Sequence, residues 1–201
     1  MKKIIDFIKP AAILLVVAAV AALILGGVNL ATKDRIAAIA EEAMNTAMQT
    51  VLPAAGYTDI GYAPDGEVEA VYQAGEQGWV VQVTETGSQG TVTMMVGVDK
   101  SYACTGISIT DSSETAGLGA IASQQSEKGE AFRGQFVGLS GTVAVTKEGG
   151  SVDAISGATI TSRAVCKGVT KALDVCAALG GISAYTEATP VSGEPGTASM
   201  G

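Results

Sequence analysis

An uncharged apolar run near the start of the chain limits the available folds more than any other feature. Between Pro10 and Ala31 no residue carries a charge, and most residues are Ala, Val, Leu or Ile. A helix needs about 20 such residues to cross a bilayer, whereas the apolar part of a cleaved signal peptide is usually about 7–15 residues long. The run therefore predicts an uncleaved transmembrane anchor over residues 10–31, with the rest of the chain free to form a separate domain.

The charges around this run predict how it is oriented. The side that precedes the run has a small excess of basic residues, Lys2, Lys3 and Lys9 against Lys33 and Arg35. Because basic residues accumulate on the cytoplasmic side of a span, we expect residues 1–9 in the cytoplasm and the following domain on the extracytoplasmic side of the cytoplasmic membrane. Beyond residue 35 the chain holds eighteen acidic and seven basic side chains, which argues against a nucleic-acid partner.

Periodicity predicts one α+β domain behind the anchor. Apolar residues at helical spacing indicate a connecting helix over residues 32–53 that Pro53 ends. The folded domain is then expected over residues 54–184, and the Pro-, Gly- and Ser-rich residues 185–201 predict a disordered tail. Within the domain the predicted strands are 67–74, 79–86, 91–98 and 105–110, and their spacing indicates an antiparallel meander. A short helix is predicted at 120–126 and a further strand at 141–146. A final packed helix is predicted to begin near Ile160 or Thr161.

Absent residue types exclude several kinds of chemistry. The chain has no histidine, which removes Ser-His-Asp triads and the commonest zinc ligand, so a hydrolase is the weakest interpretation. Its three cysteines, Cys104, Cys166 and Cys176, lack C-x-x-C spacing and are too few for a four-thiolate iron–sulfur cluster. Cys166 and Cys176 stand about 15 Å apart along one helix, so they cannot pair with each other; a bridge from Cys104 to either stays open.

The turn before the last helix combines hydroxyl groups with backbone amides that small side chains leave accessible. Ser156, Gly157, Ala158 and Thr159 lie where the helical period begins, and the first amides of a helix attract an anion such as a phosphate. Arg163 or Lys167 could assist, although both also suit a solvated helix face. A plain N-terminal cap by Ser or Thr is the alternative interpretation of the same residues.

Two motifs resemble those of a known family. The pattern from Asp153 to Thr159, with Ser-Gly-Ala-Thr at its end, resembles the flavinylation motif of the FMN-binding domain family. Glu114-Thr115-Ala116-Gly117-Leu118-Gly119 resembles that family's E-T-P-G-L-G segment, with Ala in place of Pro. The chain as a whole is similar to the G subunit of Rnf-type ion-translocating electron-transport complexes, which is related to the C subunit of sodium-translocating NADH:quinone reductases.

This resemblance implies a covalent flavoprotein. The phosphate of FMN would be esterified to Thr159, within a site that also includes Ser156, Gly157, Ala158 and Thr161. The flavin would lie against Glu114, Thr115, Gly117, Leu118 and Gly119, while Asp153 would be recognised by a separate FMN transferase that uses FAD. Other membrane and redox subunits would complete the complex, so the chain would be an electron-transfer subunit that is not a self-sufficient enzyme.

Besides the hydrolase, two other assignments stay open on the sequence. The first is the quinone reductase subunit or a stand-alone extracytoplasmic flavinylated carrier. The second belongs to a different class, a cofactor-free membrane-anchored binding domain in which the Ser156–Thr159 turn only caps a helix. The sole tryptophan, Trp79, stands at the start of a predicted strand and is expected in the core, with stacking of a flavin ring on it as the alternative.

Overall fold

The computed structural model describes residues 2–62 and 66–180, and within residues 2–13 and at residue 16 it describes the backbone alone. The tail predicted at residues 185–201 lies outside the described residues. Helix α1 (Lys2–Val51) is one continuous helix of 50 residues. Its segment Val17–Val51 is long and apolar enough to cross a membrane by length and composition.

A five-stranded antiparallel sheet forms the centre of the domain. The strands follow one another in space in chain order: β1 (Thr58–Asp59), β2 (Val68–Ala74), β3 (Gly78–Thr86), β4 (Thr91–Asp99) and β5 (Cys104–Ser112). The four longer strands lie within two residues of the predicted ones. Together with the helices they confirm the α+β class and the predicted meander, to which β1 is an addition.

The two faces of the sheet are covered by different helices. Side chains alternate between faces along a strand, so Val81 and Met94 point to one side and Val80 and Met95 to the other. Helix α3 (Thr159–Leu179) packs its buried stripe on the first face, where it forms the larger core. The end of α1, with Ala47, Met48 and Val51, covers the second face together with Leu52, the residue that follows the helix.

The last turns of α1 therefore belong to the domain. Contacts divide the chain into two units, Met1–Ala43 and Met44–Gly201, and the second unit includes the last turns of α1. Thr105 of β5 donates a hydrogen bond to the carbonyl of Val51 at 2.5 Å, which satisfies one of the carbonyl groups left open at a helix end.

Between β5 and α3 the structure differs from the predicted elements. A 3₁₀ turn (Gly119–Ala122) and helix α2 (Glu127–Gly134) replace the short helix predicted at 120–126, because Ser126 caps α2 by accepting from the Gly129 amide. The strand predicted at residues 141–146 is wrong. Only an isolated bridge between Val145 and Val152 forms there, followed by a 3₁₀ turn (Thr146–Glu148).

The three cysteines are buried and free. The open alternative of a bridge from Cys104 to Cys166 or Cys176 is thus absent from the structure. Burial raises the pKa of Cys104 to about 11 and that of Cys166 to about 12, so neither is a thiolate at neutral pH.

Candidate functional site

A cleft of about 280 Å³ opens beside the strand ends at which β3 turns into β4. It lies where the β3–β4 turn, the segment after β5 and the first turn of α3 meet. Its volume is close to the lower end of the roughly 300–1,000 Å³ typical of ligand pockets, so it suits part of a cofactor. The lining residues are Ser88, Gln89, Glu114, Thr115, Leu118, Gly119, Gly157, Ala158, Thr159, Ile160 and Thr161.

Strand pairing explains why these segments meet. Thr86 pairs with Thr91 across the β3–β4 turn, and Val92 pairs with Ser112 at the end of β5. In an antiparallel sheet the turn between two strands therefore lies beside the end of the third strand. The motif that begins at Glu114 starts two residues after the end of β5. The first turn of α3, which packs on one face of the sheet, lines the same cleft.

Glu114 links all three segments. Its Oε1 accepts hydrogen bonds from the backbone amides of Ser88 at 2.7 Å and Gln89 at 3.1 Å, and its Oε2 accepts from the Thr161 hydroxyl at 2.8 Å. Partial burial raises the pKa of Glu114, but the hydrogen bonds, that from Gln89 foremost, outweigh burial and leave the pKa below its usual value. The carboxylate is therefore ionised at neutral pH and acts only as an acceptor.

Helix α3 starts without a side-chain cap. The residue at the cap position is Ala158, and no side chain accepts a hydrogen bond from the first turn there. Gly157 precedes it with φ of 78°, a conformation that favours glycine, and a Cβ at Gly157 would stand 3.1 Å from the Leu118 side chain. The interpretation of the turn as a Ser or Thr cap is wrong, and the first residues of α3, Thr159, Ile160 and Thr161, line the cleft without a side-chain cap.

The two threonines of this turn have different surroundings. Thr161 is only 1% exposed and donates its hydroxyl to Glu114. Thr159 is half-buried, and among the described residues no hydrogen bond engages its hydroxyl. Thr159 is therefore the hydroxyl that an incoming group can reach.

The loop before α3 is held from two sides. The Asp153 amide donates to Gln135 Oε1 at 2.7 Å, and Gln135 returns a bond to the Asp153 carbonyl at 3.2 Å. Ser162 accepts from the Ile155 amide at 3.0 Å. Asp153 is exposed, and Asp153, Ser156 and Gly117 lie outside the cleft lining.

Arg163 and Lys167, both on α3, do not line the cleft. Arg163 Nε lies 2.6 Å from Glu148 Oε1, and both Arg163 and Lys167 line a separate charged groove of about 510 Å³. In that groove Lys171 pairs with Glu67 and, at 2.9 Å, with the buried Glu85. Of the residues that line the cleft, none is basic.

Trp79 lies at the far end of α3. Its ring stacks on Tyr102 with centroids 5.9 Å apart and planes at 13°. Tyr102 in turn contacts Gly180, which follows the 21-residue α3. A helix of that length spans about 30 Å, so Trp79 is remote from Thr159 and is not placed to stack on a flavin there.

Three residues of the cleft were missed by the sequence reasoning. Ser88 and Gln89 form the β3–β4 turn, and Ile160 is the exposed second residue of α3. The predicted meander contained the signal for the first two, because it places a β3–β4 turn beside the segment that follows β5. Ile160 is 55% exposed although apolar, which nothing in its helical spacing indicated.

Two separate parts of the chain match known protein families. Residues 87–174 match the FMN-binding domain, a range that contains the whole cleft. Residues 1–51, which are α1 with its preceding residue, match the RnfG N-terminal region.

Similar proteins cover most of the chain. The G subunit of the ion-translocating oxidoreductase complex of Methanosarcina acetivorans is 33% identical over 177 residues, which are 82% of this chain and 92% of that protein. The G subunit of the Na(+)-translocating ferredoxin:NAD(+) oxidoreductase complex of Acetobacterium woodii is 34% identical over 185 residues, 81% of this chain and 88% of that protein. The G subunit of the proton-translocating ferredoxin:NAD(+) oxidoreductase complex of Clostridium ljungdahlii is 37% identical over 100 residues, about half of each chain at 48% and 51%.

Proposed function

Because this chain belongs to the family of G subunits of ion-translocating oxidoreductase complexes, we propose that it is a membrane-anchored electron carrier with FMN joined to Thr159 through a phosphoester. When bound, FMN supplies one- and two-electron redox chemistry. The protein residues hold the phosphate and position the flavin. The observation that carries the proposal is an unbonded Thr159 hydroxyl at the uncapped start of α3, within the matched FMN-binding domain.

The cleft suits a phosphate on three counts. The uncapped amides of α3 supply donors and partial positive charge. The small residues Gly157 and Ala158 keep side-chain bulk away from them. Half-buried Thr159 is the first residue of the helix, so an ester on its oxygen would lie beside those amides.

Covalent attachment also has an electrostatic reason. The cleft lining contains the ionised Glu114 and no Lys or Arg, and the whole chain has a net charge of −8. Free FMN carries about two negative charges on its phosphate, so a site of this kind binds it weakly. On the extracytoplasmic side, where the flavin concentration is low, mass action would empty such a site. A phosphoester retains the cofactor and lowers the phosphate charge by esterification.

The remaining parts of the proposal follow the family and the anchor. Residues 10–31 hold the carrier in the cytoplasmic membrane, with residues 1–9 in the cytoplasm and the FMN domain outside. Electrons pass through the flavin between neighbouring redox subunits of a complex that couples ferredoxin and NAD to ion movement. Maturation requires a separate FMN transferase, for which the exposed Asp153 is a recognition residue.

The decisive experiment is attachment in the presence of an FMN transferase. The full chain is co-expressed with the transferase and analysed by denaturing-gel flavin fluorescence and intact mass. We expect one FMN-phosphoryl adduct on the wild type and none on Thr159→Ala. The matched control is Thr142→Ala, an exposed threonine away from the cleft, which should carry the adduct as the wild type does.

Two results would reject the proposal. One is a wild-type chain without adduct while a known substrate of the same transferase is modified, which would favour the cofactor-free anchored domain. The other is an adduct that survives in Thr159→Ala, which would move the attachment point. Protease accessibility of the domain in intact and permeabilised spheroplasts tests the orientation separately, because a domain cleaved only after permeabilisation would be cytoplasmic.

A further inference from the structure

One carboxylate organises the whole cleft. The amides of Ser88 and Gln89 and the hydroxyl of Thr161 all donate to Glu114, and the three donors come from two separate segments of the chain. Glu114 itself comes from a third. Removing this side chain would therefore release the β3–β4 turn and the first turn of α3 at once.

The packing around the carboxylate is close. A Cβ added at Gly119 would contact both the Glu114 carboxylate and the Thr161 hydroxyl, and one added at Gly87 would contact the same carboxylate. Real side chains do not accept such approaches without a shift. Both glycines thus leave room for Glu114 to reach its three donors.

The contact with Thr161 affects which threonine can react. A hydroxyl acts as a nucleophile only if its oxygen can reach the electrophile. Thr161 is buried, and its oxygen lies 2.8 Å from an anionic carboxylate that repels an incoming phosphoryl group. Thr159 lies two residues earlier, about 200° around the helix, with its hydroxyl unbonded among the described residues.

We propose that Glu114 is a positioning residue that selects the acceptor: it holds Thr161 out of reach and fixes the first turn of α3, so that Thr159 alone is presented to the flavin phosphate. This inference rests on the proposed function. In the step itself, the Thr159 Oγ–P bond forms while the P–O bond between the two phosphates of a flavin dinucleotide breaks. AMP leaves, the hydroxyl proton passes to solvent or to the transferase, and no electron is transferred.

The experiment reads the site of attachment. Full-length wild type, Glu114→Ala, Thr159→Ala and the double variant are co-expressed with an FMN transferase, and the adduct is located by peptide mass spectrometry. Asp111→Asn removes an exposed carboxylate from the nearby end of β5 and serves as the matched control. We expect attachment on Thr159 alone in the wild type and in the control, and on both threonines in Glu114→Ala.

The double variant gives the sharpest test. The single variant Thr159→Ala should carry no flavin adduct, whereas the double variant Thr159→Ala with Glu114→Ala should carry the adduct on Thr161. A loss of stability alone would reduce attachment at both positions without moving it from one to the other. If Glu114→Ala does not fold, as judged by circular dichroism, Glu114→Gln replaces it, because the amide keeps one acceptor oxygen and loses the other.

The outcomes separate the two proposals. A wild-type chain modified on Thr159, with every Glu114 variant modified there alone, overturns the acceptor selection and leaves the proposed function intact. A wild-type chain that carries no adduct overturns both. Appearance of the adduct on Thr161 only where Glu114 is changed supports the selection.

Discussion

The two threonines at the start of α3 should contribute differently to stability. Thr159→Ala removes a hydroxyl that makes no hydrogen bond among the described residues. No cap is lost, and Ala is at least as good a helix former as Thr, so we expect the free energy of unfolding to change by less than about 0.5 kcal/mol. Thr161→Val keeps the side-chain shape but removes a donor from a charged acceptor.

The cost of Thr161→Val follows from that contact. A hydrogen bond to a charged group contributes about 1.5–3 kcal/mol, and Thr161 is 1% exposed, so water cannot replace the lost donor. For a domain of this size each kcal/mol lowers Tm by about 3–5 °C, which predicts a decrease of about 5–15 °C. Thr159→Ala should leave Tm within about 2 °C of the wild type by the same conversion.

Trp79 makes the measurement direct. It is the only tryptophan, it lies in the domain and it stacks on Tyr102, so its fluorescence reports unfolding of the domain in the full chain in detergent. Both variants are compared with the wild type before flavin is attached. A Thr159→Ala variant destabilised by more than about 1 kcal/mol would show that Thr159 caps the helix after all. A neutral Thr161→Val would show that the bond to Glu114 carries no free energy.

Three further predictions test the surroundings of the site. Gly119→Ala should destabilise the fold by about 1–3 kcal/mol and reduce flavin attachment, because its Cβ would displace Glu114; Gly134→Ala, with open space around it, is the control in thermal unfolding. The pKa of Glu114 is lowered in the folded state, so its ionised carboxylate stabilises the fold above the unfolded pKa of 4.5, and this stabilisation is lost as pH falls through the folded pKa. In acid titrations followed by circular dichroism, Glu114→Gln should therefore lose less stability with falling pH than the wild type does. Lys171→Met should cost about 1–3 kcal/mol in the same thermal assay, since it leaves the buried Glu85 carboxylate without its cation, and adding Glu85→Gln should recover part of that loss.

The fold was largely predictable because its local signals agree with its tertiary contacts. The strands carry alternating or continuous apolar residues between clear turns, and α3 has a helical stripe that fits the face of a sheet. The strand predicted at residues 141–146 failed for a physical reason. Val143 and Val145 are buried in the core, but Val145 pairs with Val152 in a single isolated bridge. The segment therefore has the apolar residues of a strand without the repeated hydrogen bonds to a neighbouring strand.

The contents of the site were predictable only in part. The motifs pointed to Glu114 and Thr159, which both line the cleft, since residue types at fixed spacing are visible in a sequence. The hydrogen bonds of Glu114 to the β3–β4 turn were not, because they join residues 25 and 26 positions apart through a side chain whose direction depends on packing. For the same reason the sequence could not tell that Thr161, two residues from Thr159, has its hydroxyl engaged.

The helix start shows why a motif alone left two interpretations open. Ser156 and Thr159 are residue types that cap helices, yet the cap position is taken by Ala158, whose side chain cannot accept a hydrogen bond from the first turn. Ala at that position leaves the helix about 1 kcal/mol less stable than Ser, Thr or Asp would. A polar ligand that accepts from the open amides offsets this cost, and an anion does so best because it also interacts with the helix dipole. An uncapped helix start inside a cleft is therefore better explained by a phosphate ligand than by a structural turn, and esterification of Thr159 would hold that phosphate at the amides.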